Sequence, residues 1–376
     1  MRRCRVLVAF IGATVVLAAC AGGGDNESVA ELVSVSSQES ASTSTALAQP
    51  DDTFASLAAA VEGAGANCLV IEREGRVVGE WLWQGFGPEA LQEGFSTTKS
   101  VAATLVGIAQ DQGKLSIDQP ASDFITEWKG TPSEQVTIRQ LLSNTSGRFH
   151  DVVTDYAQLA FLEQDKSSFA VALGQQHDPG TRWVYNNAAV QTLEVVLERA
   201  VGGSVASFAK QNLFDRLGMS SRLSLDGVGN AGLFAGMQTN CRDLTALVRL
   251  YLAGGEVNGD RIVSSGFVDE ALTPSSEVNE AYGFLWWLNT RGTVQSSAEG
   301  STRQGVSLLG ALDEDVFYAS GACGQVAMGF PQDELIISVM RPVESTSITA
   351  LAGCGAVNME SVVADAIAPL LEQLRQ

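Results

Sequence analysis

Hydrophobic and polar residues alternate in several different ways along the chain, and each pattern predicts a different element. Residues 6–19 (VLVAFIGATVVLAA) form an unbroken apolar run. Residues 67–83 (NCLVIEREGRVVGEWLW) are two β-rich runs around Glu74-Gly75, which predicts a hairpin. From residue 96 the apolar positions recur at helical spacing. They predict helices over 96–112, which stops at Gly113, and over 137–143, 187–200, 204–217 and 239–253. After Gly259 the pattern shortens again. It predicts strands over 304–311, 316–320, 325–330 and 335–340, with a turn at 331–334. Residues 360–375 close the chain as an amphipathic helix with a kink expected at Pro369. The order hairpin, helical block, strands, helix predicts an α/β (α+β) fold. One antiparallel sheet flanked by helices is built from both chain ends, 51–95 and 262–376, and an all-α domain, 96–261, is inserted between them. The cleft between the two is the natural place for a site.

The first apolar run is an address. Arg2, Arg3 and Arg5 precede it, and its fourteen residues fall short of the ~20 that span a bilayer, so 1–19 reads as a signal peptide. It ends in Leu17-Ala18-Ala19-Cys20, which resembles the lipobox of bacterial lipoproteins, where the cysteine is lipidated and becomes the new N-terminus. An ordinary signal peptide with an incidental cysteine is the alternative. Residues 20–50 are rich in Ser, Thr, Gly and Ala and read as a lipidated flexible tether. The expected location is the cell envelope, with the anchor in the outer face of a bacterial membrane and the domain periplasmic or extracellular.

Charge and composition narrow the chemistry. The 376 residues carry 43 Asp and Glu against 23 Lys and Arg, a formal net charge of −20. A chain this acidic is repelled by phosphate backbones, so nucleic-acid binding is excluded as a class, and attraction to anionic lipid is disfavoured. Only His150 and His177 are present, and there is no H-E-x-x-H, C-x-x-C or G-x-x-x-x-G-K-[ST] motif. No metal or organic cofactor is therefore implied, which leaves Ser, Lys, Tyr, Asp and Glu to do the chemistry. Beyond Cys20, four cysteines lie in the domain: Cys68, Cys241, Cys323 and Cys354. In an oxidising compartment they suggest two disulfides, with three possible pairings; four buried thiols are the alternative.

Gly94-Phe95-Ser96-Thr97-Thr98-Lys99-Ser100 opens the first helix of the helical block. The i, i+3 spacing puts Ser96 and Lys99 on one helix face. A serine hydroxyl needs a base, and lysine serves as one only when neutral, which burial and a helix N-terminus both favour. The Ser96 backbone N–H at that terminus also suits a developing oxyanion. Ser207-Phe208-Ala209-Lys210 has the same S-x-x-K spacing but reads as an ordinary surface helix. Downstream, Asp178-Pro179-Gly180-Thr181-Arg182-Trp183-Val184-Tyr185-Asn186-Asn187 is a turn, an extended run and a Tyr-x-Asn at a helix start. A tyrosine beside a lysine ammonium has its phenolate favoured and can relay a proton, and Asn187 can hold Lys99 or a substrate carbonyl by its amide. A buried tyrosine with a capping asparagine is the bland reading of the same residues. Likewise, core packing is the default for Trp183, Tyr282, Trp286 and Trp287, and His150 has a structural or substrate-contact role.

Phe-Ser-x-x-Lys-Ser, then Leu141-Leu142-Ser143-Asn144-Thr145-Ser146-Gly147, then Pro-Gly-Thr-x-x-x-Tyr-x-Asn resembles the serine β-lactamase and penicillin-binding protein superfamily. Tyr-x-Asn looks like its class C branch. Gly232-Leu233-Phe234, Arg242-Asp243-Leu244, Tyr282-Gly283-Phe284-Leu285-Trp286-Trp287 and Gly321-Ala322-Cys323-Gly324-Gln325 look like its esterase and 6-aminohexanoate-dimer hydrolase relatives. The resemblance covers about residues 52 to 376. It implies Ser96 as acylated nucleophile, Lys99 as base, Tyr185 as proton shuttle to the leaving group and Asn187 as a positioning group. The third motif of the family, Lys-Thr-Gly or His-x-Gly, is matched by Ala319-Ser320-Gly321, so its basic residue is missing. Ser96 and Ala322 would supply the oxyanion N–H groups, or Ala319 in place of Ala322 if the motif aligns without a gap. Without the cation that holds a substrate carboxylate, an ester or amide is expected in preference to a β-lactam or D-Ala-D-Ala peptide, unless Arg182 or Arg303 compensates. A β-lactamase or D,D-carboxypeptidase is the second reading, and a non-catalytic cell-wall-binding lipoprotein the third. The family topology also implies Cys68–Cys354 and Cys241–Cys323 as the disulfides.

Overall fold

A computed structural model describes residues 52–297, 302–343 and 357–376. The signal peptide, Cys20, the tether and Cys354 lie outside the described residues. Six antiparallel strands make the central sheet: β1 (Cys68–Arg73), β2 (Arg76–Leu82), β3 (Trp287–Leu288), β4 (Phe317–Gly321), β5 (Gln325–Phe330) and β6 (Leu335–Met340). Their spatial order is β2-β1-β6-β5-β4-β3. The first strand pairs with the last, Cys68 opposite Met340 and Arg73 opposite Leu335, so both chain ends build one sheet. Strands β5 and β6 are buried along their whole length and read as near-continuous apolar runs, because both faces of the sheet are covered.

Six of the helices matter for the site: α1 (Ala55–Gly63), α2 (Thr98–Asp111), α3 (Ile138–Leu142), α4 (Asn187–Val201), α5 (Cys241–Leu252) and α6 (Met359–Leu374). Helices α1 and α6 pack together, and α6 also meets β5. Helix α5 lies against β1, β5 and β6, although its residues fall within 96–261. Its Arg242 and Arg249, two turns apart, reach Glu80 and Glu72, carboxylates that are buried on the sheet. Such charges are retained inside only when paired. Helix α2 is buried from Thr98 to Ala109 and is apolar nearly all round, as a central helix must be. It packs on α4 on one side and approaches β4 on the other, which brings the helical block and the sheet together at its N-terminus.

Three expectations are corrected. The strand over 304–311 ends at Val306, in a two-stranded ribbon of Arg303–Val306 with Gly292–Val294. The Asn289 amide takes over the next stretch: it donates to Leu309 O, Leu312 O and Asp313 O and accepts from Leu309 N, which holds it as a loop. The helix over 204–217 is Val205–Ala209 and Asp215–Leu217 joined by a wider π turn, Lys210–Phe214. The disulfide is Cys68–Cys241, neither Cys68–Cys354 nor Cys241–Cys323. Cys68 does sit at the edge where the last strand ends, but α5 crosses the same face and sets its first residue against it. Cys323 is also disulfide-bonded.

The Cys68–Cys241 bond closes a loop of 173 residues and fixes α5 to β1. A loop that long loses much entropy from the unfolded chain, so replacing both cysteines by alanine should cost about 2–5 kcal/mol. Urea unfolding of the two proteins at equal concentration measures this. A difference below about 0.5 kcal/mol would mean that the two Arg–Glu pairs fix the helix without the disulfide.

Candidate active site

The chain is bent sharply just before Ser96. Phe95 takes a left-handed backbone conformation, φ 47°, an uncommon state for a bulky residue that is held here by its surroundings. Thr97 Oγ1 donates to Gly94 O at 2.8 Å, and Thr98 Oγ1 donates to Phe95 O and accepts from Met237 N. Ser100 Oγ donates to Leu285 O. The hydroxyls of Thr97, Thr98 and Ser100 thus pin the turn, leaving the half-buried Ser96 at the start of α2. From the other side β4 abuts it: a Cβ on Gly321 would lie 2.4 Å from Gly94 O and 3.2 Å from Ser96 N. Only glycine permits this approach, which brings Ala322 into the wall of the cavity that Ser96 lines.

Lys99 is fully buried, 1% exposed. Its Nζ lies 3.0 Å from Ser96 Oγ, 2.6 Å from Asn187 Oδ1 and 2.7 Å from Phe234 O. Burial lowers its pKa to about 7, against a smaller opposing pull from Asp155. The two carbonyl oxygens only accept. A neutral amine has two hydrogens and one lone pair, so its hydrogens go to Asn187 and Phe234 and its lone pair faces the Ser96 hydroxyl.

Asn187 is held at the first residue of α4. Asn186 caps the helix by accepting from Ala189 N, while the buried Asp155 accepts from Asn187 N at 3.0 Å and Ala188 N at 2.8 Å. A carboxylate at that N-terminus is stabilised by the helix dipole. His150 Nε2 approaches Asp155 Oδ2 at 3.6 Å, so His150 stands behind Asp155. Sequence reading missed Asp155 and the Phe234 carbonyl. The first had a signal, since Asp155 is the only charged residue in the run 152–162 (VVTDYAQLAFL). A backbone carbonyl has none.

The Tyr185 side chain lies beside Ser96, and Lys99 Nζ lies 4.7 Å from its ring centre. Burial, with Tyr282 and Tyr156 nearby, raises its pKa well above the ordinary tyrosine value. The expected phenolate is therefore corrected: the group is a neutral phenol, which can donate and accept. Its ring stacks on Trp287 at 5.7 Å, and Trp183 and Tyr282 close around both. Trp286 instead faces Tyr251 and Phe317 in the core. The 143–147 loop sets the height of Tyr185. Asn144 O accepts from Val184 N, and Thr145 O accepts from Gly180 N. Gly147 lies so close to the 177 carbonyl that a Cβ would stand 2.2 Å from it.

Ser96, Asn187 and Ala322 share a cavity of about 280 Å³ with apolar walls from Phe95, Phe161 and Phe234. Lys166 reaches the same cavity, but its ammonium is taken by Leu159 O, Ala160 O and Glu163 O. Arg182 borders a different, larger cavity with His150 and Tyr185, and Arg303 is exposed on the ribbon. Ser207 and Lys210 are exposed, as expected of an ordinary helix.

A sequence model of the beta-lactamase family matches residues 51–341. The chain belongs to the beta-lactamase family. The superfamily and branch read from the motifs hold, as does the mixed fold with an antiparallel sheet flanked by helices. The 6-aminohexanoate-dimer hydrolase of Paenarthrobacter ureafaciens is 25% identical over 262 residues, 61% of this chain and 66% of that protein. Penicillin-binding protein 4* of Bacillus subtilis (strain 168) is 30% identical over 137 residues, 33% of this chain and 28% of that protein. The chain thus matches just under two thirds of the length of the first and about a quarter of the second. Among solved structures, a family VIII carboxylesterase superposes with a TM-score of 0.63 at 18% identity, covering 85% of this chain and 98% of that one.

Proposed function

We propose that the protein is a beta-lactamase-family serine hydrolase that cleaves an ester or amide through an acyl-enzyme on Ser96. What carries the reading is the buried Lys99 amine, with two acceptor-only oxygens on its hydrogens and its lone pair on the Ser96 hydroxyl. Lys99 takes the hydroxyl proton as Ser96 Oγ bonds to the acyl carbon. The oxyanion forms beside the Ser96 and Ala322 N–H groups. The bond to the leaving oxygen or nitrogen breaks, and that atom receives a proton through the Tyr185 phenol. Water then adds to the acyl carbon, giving up a proton to the same base, and Ser96 leaves as a hydroxyl with the acid released. Ester or amide plus water becomes acid plus alcohol or amine, with no other reactant needed.

An ester is favoured over a penicillin by charge. Lys166 is already occupied by three carbonyls, and Glu93 and Asp226 line the same cavity. A substrate carboxylate would find no free cation among the described residues there. Export and lipid anchoring through Cys20, inferred from residues 1–50, complete the proposal.

Intact-mass analysis after a fluorophosphonate probe, and separately after penicillin, tests it. One fluorophosphonate adduct per chain, mapped to the Ser96 peptide and formed faster than any penicillin adduct, is the expected result. Faster penicillin labelling would favour a β-lactamase or D,D-carboxypeptidase. No adduct from either reagent on folded protein would favour a binding protein that keeps the fold.

A further inference from the structure

Exposed large hydrophobic side chains are concentrated in two stretches of the chain. Among the described residues there are seven, and six of them, Val152, Val153, Tyr156, Leu162, Leu225 and Val228, come from two short segments. Their exposures run from 42% to 70%; the seventh, Val77, lies on β2. The two segments are tied together: Gly227 N donates to Gln164 O at 2.9 Å, Lys166 N to Asp226 Oδ2 at 2.9 Å, and Asn230 Nδ2 to Asp165 Oδ1 at 3.0 Å. Both segments also reach inward. Tyr156 and Leu225 are exposed on the outside and at the same time line the cavity that holds Ser96. Tyr156 and Leu225 thus form an apolar rim that joins the Ser96 cavity to the outside, while Val152 borders the separate cavity of His150 and Arg182. Clustered exposed apolar surface of this kind marks a binding site.

We infer that this rim is the track for the aliphatic tail of the substrate's acyl group, so that the substrate class is the medium- to long-chain acyl ester. The inference rests on the acyl-enzyme reading above and names the substrate of that site. The acyl carbon sits at Ser96, the first methylenes fill the cavity between Phe161 and Phe234, and the remainder passes between Tyr156 and Leu225 onto Val153, Leu162 and Val228. The continuity with the nucleophile's cavity favours a substrate tail over a separate partner. The net charge of −20 disfavours docking on an anionic lipid surface. Burial of the tail is the recognition force, since no free cation awaits a carboxylate among the described residues that line the cavity.

The test is kcat/KM for p-nitrophenyl acetate, butyrate, octanoate and dodecanoate, each below its critical micelle concentration. The value should rise with chain length, by up to about fourfold per buried methylene. In the triple variant Val153→Ser, Leu162→Ser, Val228→Ser, the dodecanoate-to-butyrate ratio should fall by about tenfold; Val77→Ser should leave the ratio as in the wild type. These side chains are exposed, and circular dichroism confirms that the variants fold. Dodecanoate no better than acetate, or an unchanged ratio in the triple variant, overturns the inference. So does activity that appears only above the micelle concentration, which would make the rim a lipid-surface dock, and so does a dimer in sedimentation that the triple variant abolishes. Failure of the hydrolase reading looks different: no ester of any length is turned over and Ser96 carries no adduct.

Discussion

Ser96→Ala should lower kcat/KM for a turned-over ester by about 10⁴- to 10⁶-fold, the range seen when a serine nucleophile is removed and only binding and oxyanion contacts remain. The fold should survive. Ser96 is half-buried, and its hydroxyl is hydrogen-bonded to Lys99 within the site. The turn that presents it is held by Thr97, Thr98 and Ser100, none of which depends on the Ser96 side chain. The melting temperature should therefore stay within a few degrees of the wild type. Ser207→Ala is the matched control: its S-x-x-K lies exposed on a short helix, so activity should be unchanged. A loss of less than about tenfold in Ser96→Ala would assign the bond-forming step to another group.

The parts of this fold that were legible in the sequence are those written by local physics. Cys68–Arg73 and Arg76–Leu82 stand where β-rich runs flank Glu74-Gly75, and Glu74 and Gly75 both take positive φ, as the tight turn needs. The recurrence of apolar positions at helical spacing over 96–112 marked the central helix. Helix α1 was not read because five of its nine residues are alanine or glycine and its buried side is only Leu57, Ala58 and Val61. Its stability comes from packing on α6, three hundred residues away in sequence. The disulfide and the state of Tyr185 failed for one shared reason. Each depends on which layer or neighbour covers a residue, and neither α5 crossing onto β1 nor the cage around the phenol has a local signature. At the site, Ser96, Lys99, Tyr185 and Asn187 were legible because their spacing is fixed by helix starts. Asp155 and Phe234 O come from segments whose approach is set by tertiary packing alone.

Lys99→Met should reduce kcat/KM by about 10²- to 10⁴-fold, the range for removing a positioned base, and it should also change the shape of the pH profile. With the Lys99 pKa near 7, the wild-type kcat/KM should rise with pH through about 7 as the amine loses its proton, then level off. Tyr185 adds no limb in that range because burial keeps it a neutral phenol. The residual activity of Lys99→Met should lack the rise near 7. Lys99→Arg should not restore it, since a guanidinium stays charged and offers no lone pair. The same shift has a sign for stability. The unfolded lysine holds its proton up to its ordinary pKa of 10.5, whereas the folded one releases it near 7, so between these values the unfolded chain binds the extra proton. Lys99 therefore destabilises the fold most below pH 7, and that cost is relieved as pH rises. Between pH 7 and 9 the stability of the wild type relative to Lys99→Met should increase by about 2–3 kcal/mol. Parallel urea titrations at the two pH values read this difference directly. A difference that stays flat would mean that Lys99 keeps an ordinary ammonium in the folded protein, and a charged amine has no lone pair with which to take the Ser96 proton.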